Sequence, residues 1–434
     1  MYLSLSDWTA RRDAAAGSGA ARVAFKASPT VIALGIVSML TDISSESVAA
    51  VLPLYITGAL GLSMVAYGFL EGLHQGMSAV VRIAAGYTAD RSNHPKPIAL
   101  GGYVFSMIAR VGLLFVQGFA GITAIVGADR IGKGIRTAPR DAMIQQASQP
   151  EHLARSFGLH RMLDTIGATV GPLLAFVVLL IVPDGYRVVF VVSLAAAVLG
   201  VAVLGLIVPN RRLHQSASPE KEASRETAAV QAFPKNRPRL RTLLRGPLRY
   251  VLLAAGVLGL LTVGDGFVYL ALMQHGRLET LWFPLLFVGS NAVFLTLAIP
   301  LGRVADRTSR AGVFVLGHLA LAGAYLVAGL GGTFPAVALC LILLGTFYAA
   351  TDGVLAALAG QLSPRGATAT GIAAAQTVVA VTRLIASTGF GALWILFGAV
   401  PTMVGAAVVL AFLVPIAWYF LAGRRSAVPL DVDA

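Results

Sequence analysis

Asp42 and Glu46 stand four residues apart inside a long apolar run, so on a helix they share one face. Two carboxylates one turn apart in a low dielectric resist carrying two negative charges together. Such a pair can hold and release a proton, which makes Asp42 and Glu46 candidates for proton coupling or for binding a polar cargo. Glu71, His74 and Gln75 form a second polar stripe at i, i+3 and i+4 in the next apolar run, with Arg82 two turns beyond Gln75. Glu71 is a second candidate protonation site, and histidine is the side chain that titrates nearest neutral pH. Glu71 and His74 are too few ligands for a metal centre. The single cysteine, Cys340, offers neither an internal disulfide nor a cysteine metal site. No nucleophile–base constellation stands out, so the chain does not read as an enzyme and no cofactor is expected.

Other ionisable residues also lie in apolar surroundings, where they are costly and functional by default. The fourth run carries Asp129, Arg130, Lys133, Arg136, Arg140 and Asp141, and the fifth carries Arg161 and Asp164 at i, i+3. Arg130 is the deeper of the fourth-run arginines and is the candidate for coupling protonation to cargo; Arg110 in the third run could do the same work. In the second half Asp265, Asp352 and Arg383 are the ionisable residues away from the run ends, and Asp352 and Arg383 are expected to pair. His74, Gln75, Arg110, Asp265, Asp352 and Arg383 are thus the candidates for the cargo pathway. Phe267, Tyr269, Phe347, Tyr348 and Trp394 are candidates for a neutral wall beside it.

The elements that position these residues follow from composition. The chain is 57% hydrophobic and 12% charged, with mean hydropathy +0.78. A soluble domain carries roughly 25% charged residues, so lipid is the expected solvent. Long unalternating runs favour helices over a barrel. Runs of about 20 residues predict twelve spans, near 30–60, 65–89, 98–119, 121–145, 158–182, 186–208, 249–273, 281–304, 311–330, 333–360, 370–395 and 398–421. The expected organisation is a tail over 1–29, six helices over 30–208, a polar linker over 209–248, six helices over 249–421, and a tail over 422–434. The first run has no convincing cleavage site after it and reads as an uncleaved first span. Of the 33 Lys and Arg residues, 24 fall on the side of the termini and the linker, which the positive-inside rule makes cytoplasmic. That asymmetry accounts for the net charge of +13 without a nucleic-acid partner.

The two halves also share a phrase. Gly86-Tyr87-Thr88-Ala89-Asp90-Arg91 returns 216 residues later as Gly302-Arg303-Val304-Ala305-Asp306-Arg307, each copy ending an apolar run. Such a repeat indicates duplication, and glycine there would allow close helix approach at the membrane edge. The phrase resembles the signature loop between the second and third helices of the major facilitator superfamily, although Ser92-Asn93-His94-Pro95-Lys96 replaces that loop's glycine and paired bases. Arg130-Ile131-Gly132-Lys133-Gly134 lies where the fourth helix of that family carries Arg-x-x-Gln-Gly. Gly167-Ala168-Thr169-Val170-Gly171-Pro172 resembles the fifth-helix motif associated with antiporters.

The resemblance covers about residues 30–421 and implies an all-α integral membrane fold of twelve transmembrane helices in two pseudo-symmetric six-helix bundles. It implies a cytoplasmic gate built from Gly86, Asp90, Arg91, Lys133, Arg136, Arg140, Arg161, Asp164, Gly302, Asp306 and Arg307. In that gate the basic end of the fourth helix pairs with Asp90 and Asp164 when the cytoplasmic side is closed and releases them when it opens, and Gly167, Gly171 and Pro172 kink the fifth helix. The implied function is proton-coupled efflux of a small organic or amphiphilic compound by a monomer in a bacterial plasma membrane, with the proton gradient as energy source. The alternatives are proton-coupled uptake of an anionic metabolite, suggested by Arg82, Arg110, Arg130 and Arg161, and a membrane sensor or scaffold using the basic linker.

Overall fold

The computed structural model describes residues 28–91, 95–149, 152–210, 246–276, 278–363 and 368–422, and within 78–91 it describes the backbone but no side chain. These residues form helices and connections, with no strand among them. In the first half α1 spans Pro29–Leu54 and ends in a π turn over Tyr55–Ala59; α2 spans Met64–Arg91, α3 Pro95–Phe115, α4 Phe119–Gln146, α5 Leu153–Ile181 and α6 Tyr186–Leu206. In the second half α7 spans Leu248–Gly259, α8 Asp265–Gly276, α9 Phe283–Arg307, α10 Arg310–Leu330, α11 Phe334–Gln361, α12 Thr368–Phe397 and α13 Ala399–Ala422.

Local chemistry explains the punctuation. Pro29 sits at the first position of α1, where its missing N–H is harmless. Gly118 and Gly398 take φ of 96° and 84° before α4 and α13, a region that side chains with a Cβ avoid. Ser309 caps α10, its hydroxyl accepting from Gly312 N at 3.0 Å. Nine segments among the described residues are long and apolar enough to cross a membrane. α4 is not one of them because of its charges, yet it is an unbroken helix that buries Asp129, Arg130 and Arg136. α7 and α8 have 12 residues each, roughly 18 Å apiece, too short for a hydrocarbon core of about 30 Å. Together they occupy the place of the continuous span expected over 249–273. That expectation is corrected: residues 260–264 leave the helix and interrupt the crossing.

Short connections make successive helices antiparallel. This defines a terminal face, where α1 begins and α13 ends, and a far face at the opposite ends. Within the first half α1 packs on α5 and α6, α3 on α4, and α2 on α4. Within the second, α10 packs on α11 and α13, and α9 on α11. Between the halves the main seams are α2 against α12 and α5 against α9. The first seam is tight because α2 carries Gly68, Gly72 and Gly76 on one face. A Cβ on Gly72 would lie 2.6 Å from Leu384 Cα and one on Gly76 3.2 Å from Ala380 O, while Gly68 abuts the Ser387 carbonyl. Gly391 answers from α12, against the Met64 carbonyl.

The α1–α5 contact is equally close. A Cβ on Gly167 would lie 2.9 Å from Met39 Cα and one on Gly171 2.8 Å from Ser47 N, so these glycines serve helix approach as their spacing suggests. Pro172 lies inside α5, which continues through it to Ile181.

Candidate functional site

Polar side chains gather in three places. The deepest lies wholly inside the first half. Asp129 on α4 receives Arg110 Nη2 at 3.0 Å and Arg130 Nη2 at 2.7 Å. Arg110 Nη1 also donates to Ser44 O at 3.2 Å and Ser193 Oγ at 3.3 Å. Arg110 and Arg130 are each 5% exposed. Beside them a cavity of about 30 Å³ is lined by Ser45, His74, Arg110, Asp129 and Arg130 among others, room for roughly two waters. Arg110 is therefore a clamp joining α1, α3, α4 and α6, away from the seam between halves where a cargo pathway would place it. Asp129 is the residue that spacing undersold. Two arginines take both its oxygens, and its i+4 neighbour Lys133 turns to Asp42 instead.

The second group lies toward the terminal face. Lys133 Nζ is 4.0 Å from Asp42 Oδ1, and Asp42 meets the carboxyl of Asp164 side by side. The close partner of Asp42 is thus a carboxyl from α5; Glu46, on its own helix, contributes only a longer-range charge. Arg161 Nη1 holds Asp164 Oδ2 at 3.1 Å. Arg140 donates to Asp141 Oδ1 at 2.9 Å and to Ser38 Oγ at 3.0 Å. Arg136 lies over the Tyr103 ring at 4.5 Å. The pairing of the basic end of α4 with Asp164 is expected for a closed cytoplasmic side; here Arg140 is engaged by Asp141 and Ser38, and Arg136 by Tyr103. The side chains of Arg82, Gly86, Asp90 and Arg91 lie outside the described residues. In the second copy Asp306 Oδ1 accepts from Arg310 Nη2 at 2.7 Å, and Arg310 Nη1 donates to Gln361 Oε1 at 3.3 Å, tying α9, α10 and α11 together. Among the described residues, a Cβ on Gly302 would meet nothing within 4 Å.

The third group straddles the halves at the interrupted crossing. Tyr325 on α10 clamps the break: its hydroxyl accepts from Val263 N at 2.9 Å and donates to Leu261 O at 3.0 Å. Asp265 opens α8 and accepts from Tyr348 Oη at 2.5 Å. Glu71, from α2, lies against the break, with its Oε1 2.5 Å from where a Gly264 Cβ would stand, and accepts from Gln75 Nε2 at 3.2 Å. Arg383 on α12 lies 5.8 Å from the Tyr348 ring centroid. Its charge and that of Asp352 both bear on Asp265. The expected Asp352–Arg383 ion pair is not formed within 4.0 Å among the described residues. Of the expected aromatic wall only Tyr348 faces this polar group. Phe267, Tyr269, Phe347 and Trp394 are buried packing residues, with Phe267 5.1 Å from Phe390 and 4.8 Å from Tyr67 between ring centroids. No group of three or more His, Cys, Asp or Glu that could hold a metal ion occurs among the described residues.

Two bundles meeting along glycine-lined seams, with polar side chains from both at an interrupted crossing, agree with the sequence match over residues 34–387. The chain belongs to the Major Facilitator Superfamily. It is a multi-pass membrane transporter. An uncharacterised transporter of this superfamily type from Methanocaldococcus jannaschii is 29% identical over 376 residues, 85% of this chain and 89% of that protein. An uncharacterised protein of Mycobacterium tuberculosis is 31% identical over 173 residues, 39% of this chain and 41% of that one.

Solved structures share the fold at low identity. A POT family transporter in complex with 5-aminolevulinic acid superposes with TM-score 0.72 at 14% identity, covering 91% of this chain and 96% of that one. The nucleoside transporter NupG gives 0.69 at 12%, covering 90% and 99%. A bacterial homologue of the human lysosomal transporter Spinster, inward-facing and unoccupied, gives 0.68 at 16%, covering 91% and 96%. All-α superfamily architecture is therefore established for this chain.

Proposed function

We propose that this superfamily member is a proton-coupled exporter of a small organic or amphiphilic compound, working by alternating access in a bacterial plasma membrane with both termini cytoplasmic. The observation that carries the reading is the polar group at the broken crossing, where Glu71 of one half packs on Gly264 of the other, next to the Asp265–Tyr348 hydrogen bond. Broken helices at the junction of two repeats are where transporters of this architecture bind cargo and coupling ions. Protons are drawn to the Asp42–Asp164 carboxyl pair, which cannot easily carry two negative charges in a low dielectric. Lys133 and Arg161 flank that pair. Gln75, Asp352 and Arg383 border the cargo path.

Uptake of an anionic metabolite is the alternative. Of the arginines that suggest it, Arg110 and Arg130 are engaged by Asp129 and Arg161 by Asp164. A sensor or scaffold would depend on the basic linker, so deleting 214–235 separates it from a transporter, which should tolerate the loss.

Everted vesicles scanned against a compound panel test direction and cargo together. Addition of an exported compound should release protons from the acidified lumen. Asp42→Asn should abolish that response with membrane insertion intact, and full retained response would remove Asp42 from coupling.

A further inference from the structure

The break between α7 and α8 has more oxygen than the proton reading uses. Glu71 and Asp265 approach it from opposite halves, and Asp352 adds a third carboxylate to its electrostatic surroundings. Arg383 is the cation among them and makes no ion pair within 4.0 Å among the described residues. Tyr67 is 1% exposed, its hydroxyl lies against Gly266 and beside the Glu71 carboxylate, and among the described residues no donor reaches that oxygen. Among the described residues, the carbonyls of Thr262 and Val263 accept no hydrogen bond. A bound proton would satisfy one carboxylate and leave the hydroxyl and the unwound carbonyls unpaired. A small hard cation coordinated by oxygens satisfies all of them. With only two carboxylates close by and neutral oxygens for the rest, the charge suits a monovalent ion.

We propose that a sodium ion binds at the α7–α8 break, between Glu71 and Asp265, with Tyr67 Oη and the carbonyls of Thr262 and Val263 as neutral ligands. The site is distinct from the Asp42–Asp164 pair, and it rests on the transporter reading only for its use. Glu71 belongs to α2 and Asp265 to α8, so the ion bridges the halves. Filling the site favours the arrangement in which Gly264 and Gly266 are packed on α2. Opening the far face separates the two carboxylates and dismantles the site. Cation release would thereby be tied to the conformational change.

Binding is read without transport. The purified full-length protein is melted in detergent at fixed pH and ionic strength, with Na⁺ exchanged for K⁺ or choline. The expected result is a rise in Tm specific to Na⁺ that grows with the logarithm of its concentration above Kd, since a ligand at free concentration L that binds only the folded state stabilises it by RT ln(1 + L/Kd). Glu71→Gln and Asp265→Asn should each abolish the rise, and Glu279→Gln, at an exposed far-face position, should leave it unchanged. Tyr67→Phe removes a single oxygen and should weaken the apparent Na⁺ affinity by about tenfold. It stands in for the carboxylate variants if they fail to fold. No Na⁺-specific rise, or a rise that survives in Glu71→Gln, Asp265→Asn and Tyr67→Phe, overturns the site. A proton-release assay that fails while the Na⁺ response holds would sink the export reading and leave this one standing.

Discussion

Asp129 carries more of the first half than its neighbours do. Its two oxygens bind Arg110 and Arg130, both 5% exposed, so one negative charge is shared by two cations. Removing the shared anion leaves two buried guanidinium groups facing each other. Breaking a buried ion pair from one side costs about 3–5 kcal/mol, so Asp129→Asn should lower thermal stability in detergent by about that much. Lys133→Gln should cost about 1 kcal/mol or less, since the 4.0 Å contact with Asp42 involves a lysine side chain 29% exposed. Equal losses in the two variants would mean that the arginines find other anions. The sequence supplied the residues of this cluster but not their pairing. Asp129 and Lys133 stand i, i+4 on α4, yet the partners of Asp129 come from α3 and from the adjacent position on α4. Partner choice among buried charges depends on which helices touch, and a single sequence gives no view of that.

At the scale of elements, the apolar runs marked nearly every helix to within a few residues because lipid imposes both length and helicity. The run over 249–273 was the exception. Leu260, Leu261, Thr262 and Val263 are as apolar as the residues around them, so hydropathy runs straight through the break. What opens it is tertiary: Tyr325, sixty residues away, supplies the hydrogen bonds that the unwound backbone lacks. Tyr325→Phe leaves the Val263 N–H buried and unpaired, and should cost about 1–3 kcal/mol. It should also raise hydrogen exchange at 260–264 relative to α10, and unchanged exchange there would show that the break holds without its clamp. The Gly68, Gly72 and Gly76 stripe has the i, i+4 spacing of a packing face in the sequence, but spacing names no partner helix. Only the contact with α12 shows that close approach happens in the far half of α2. Gly68→Val should prevent that contact, since the Ser387 carbonyl occupies the space a side chain needs.

In the molecule as a whole, the named side-chain contacts between the halves lie toward the far face. They include Gly391 with Met64, Gly68 with Ser387, Gly266 with Pro53 and Tyr67, and Phe176 with Trp282 at 5.7 Å. Toward the terminal face Arg161 on α5 and Asp352 on α11 bear on each other electrostatically, yet they form no ion pair within 4.0 Å among the described residues. The Arg161 side chain is 78% exposed, and Asp352 is exposed as well. Opposite charges held apart across two bundles are what closing the terminal face would bring together. Alternating access requires that this closure and the far-face contacts exclude one another.

Two engineered cross-links test the requirement. Across the far face the rings of Phe176 and Trp282 lie 5.7 Å apart between centroids, so Phe176→Cys with Trp282→Cys should be joined readily by a short bis-methanethiosulfonate reagent. Arg161→Cys with Asp352→Cys should cross-link only in molecules whose far face has opened. Native Cys340 is buried and should take no part. In the quadruple variant, forming the far-face bridge first should suppress the terminal-face bridge, and reduction should restore it. Both bridges forming in one molecule would show that the halves do not rock as rigid bodies about the glycine seam.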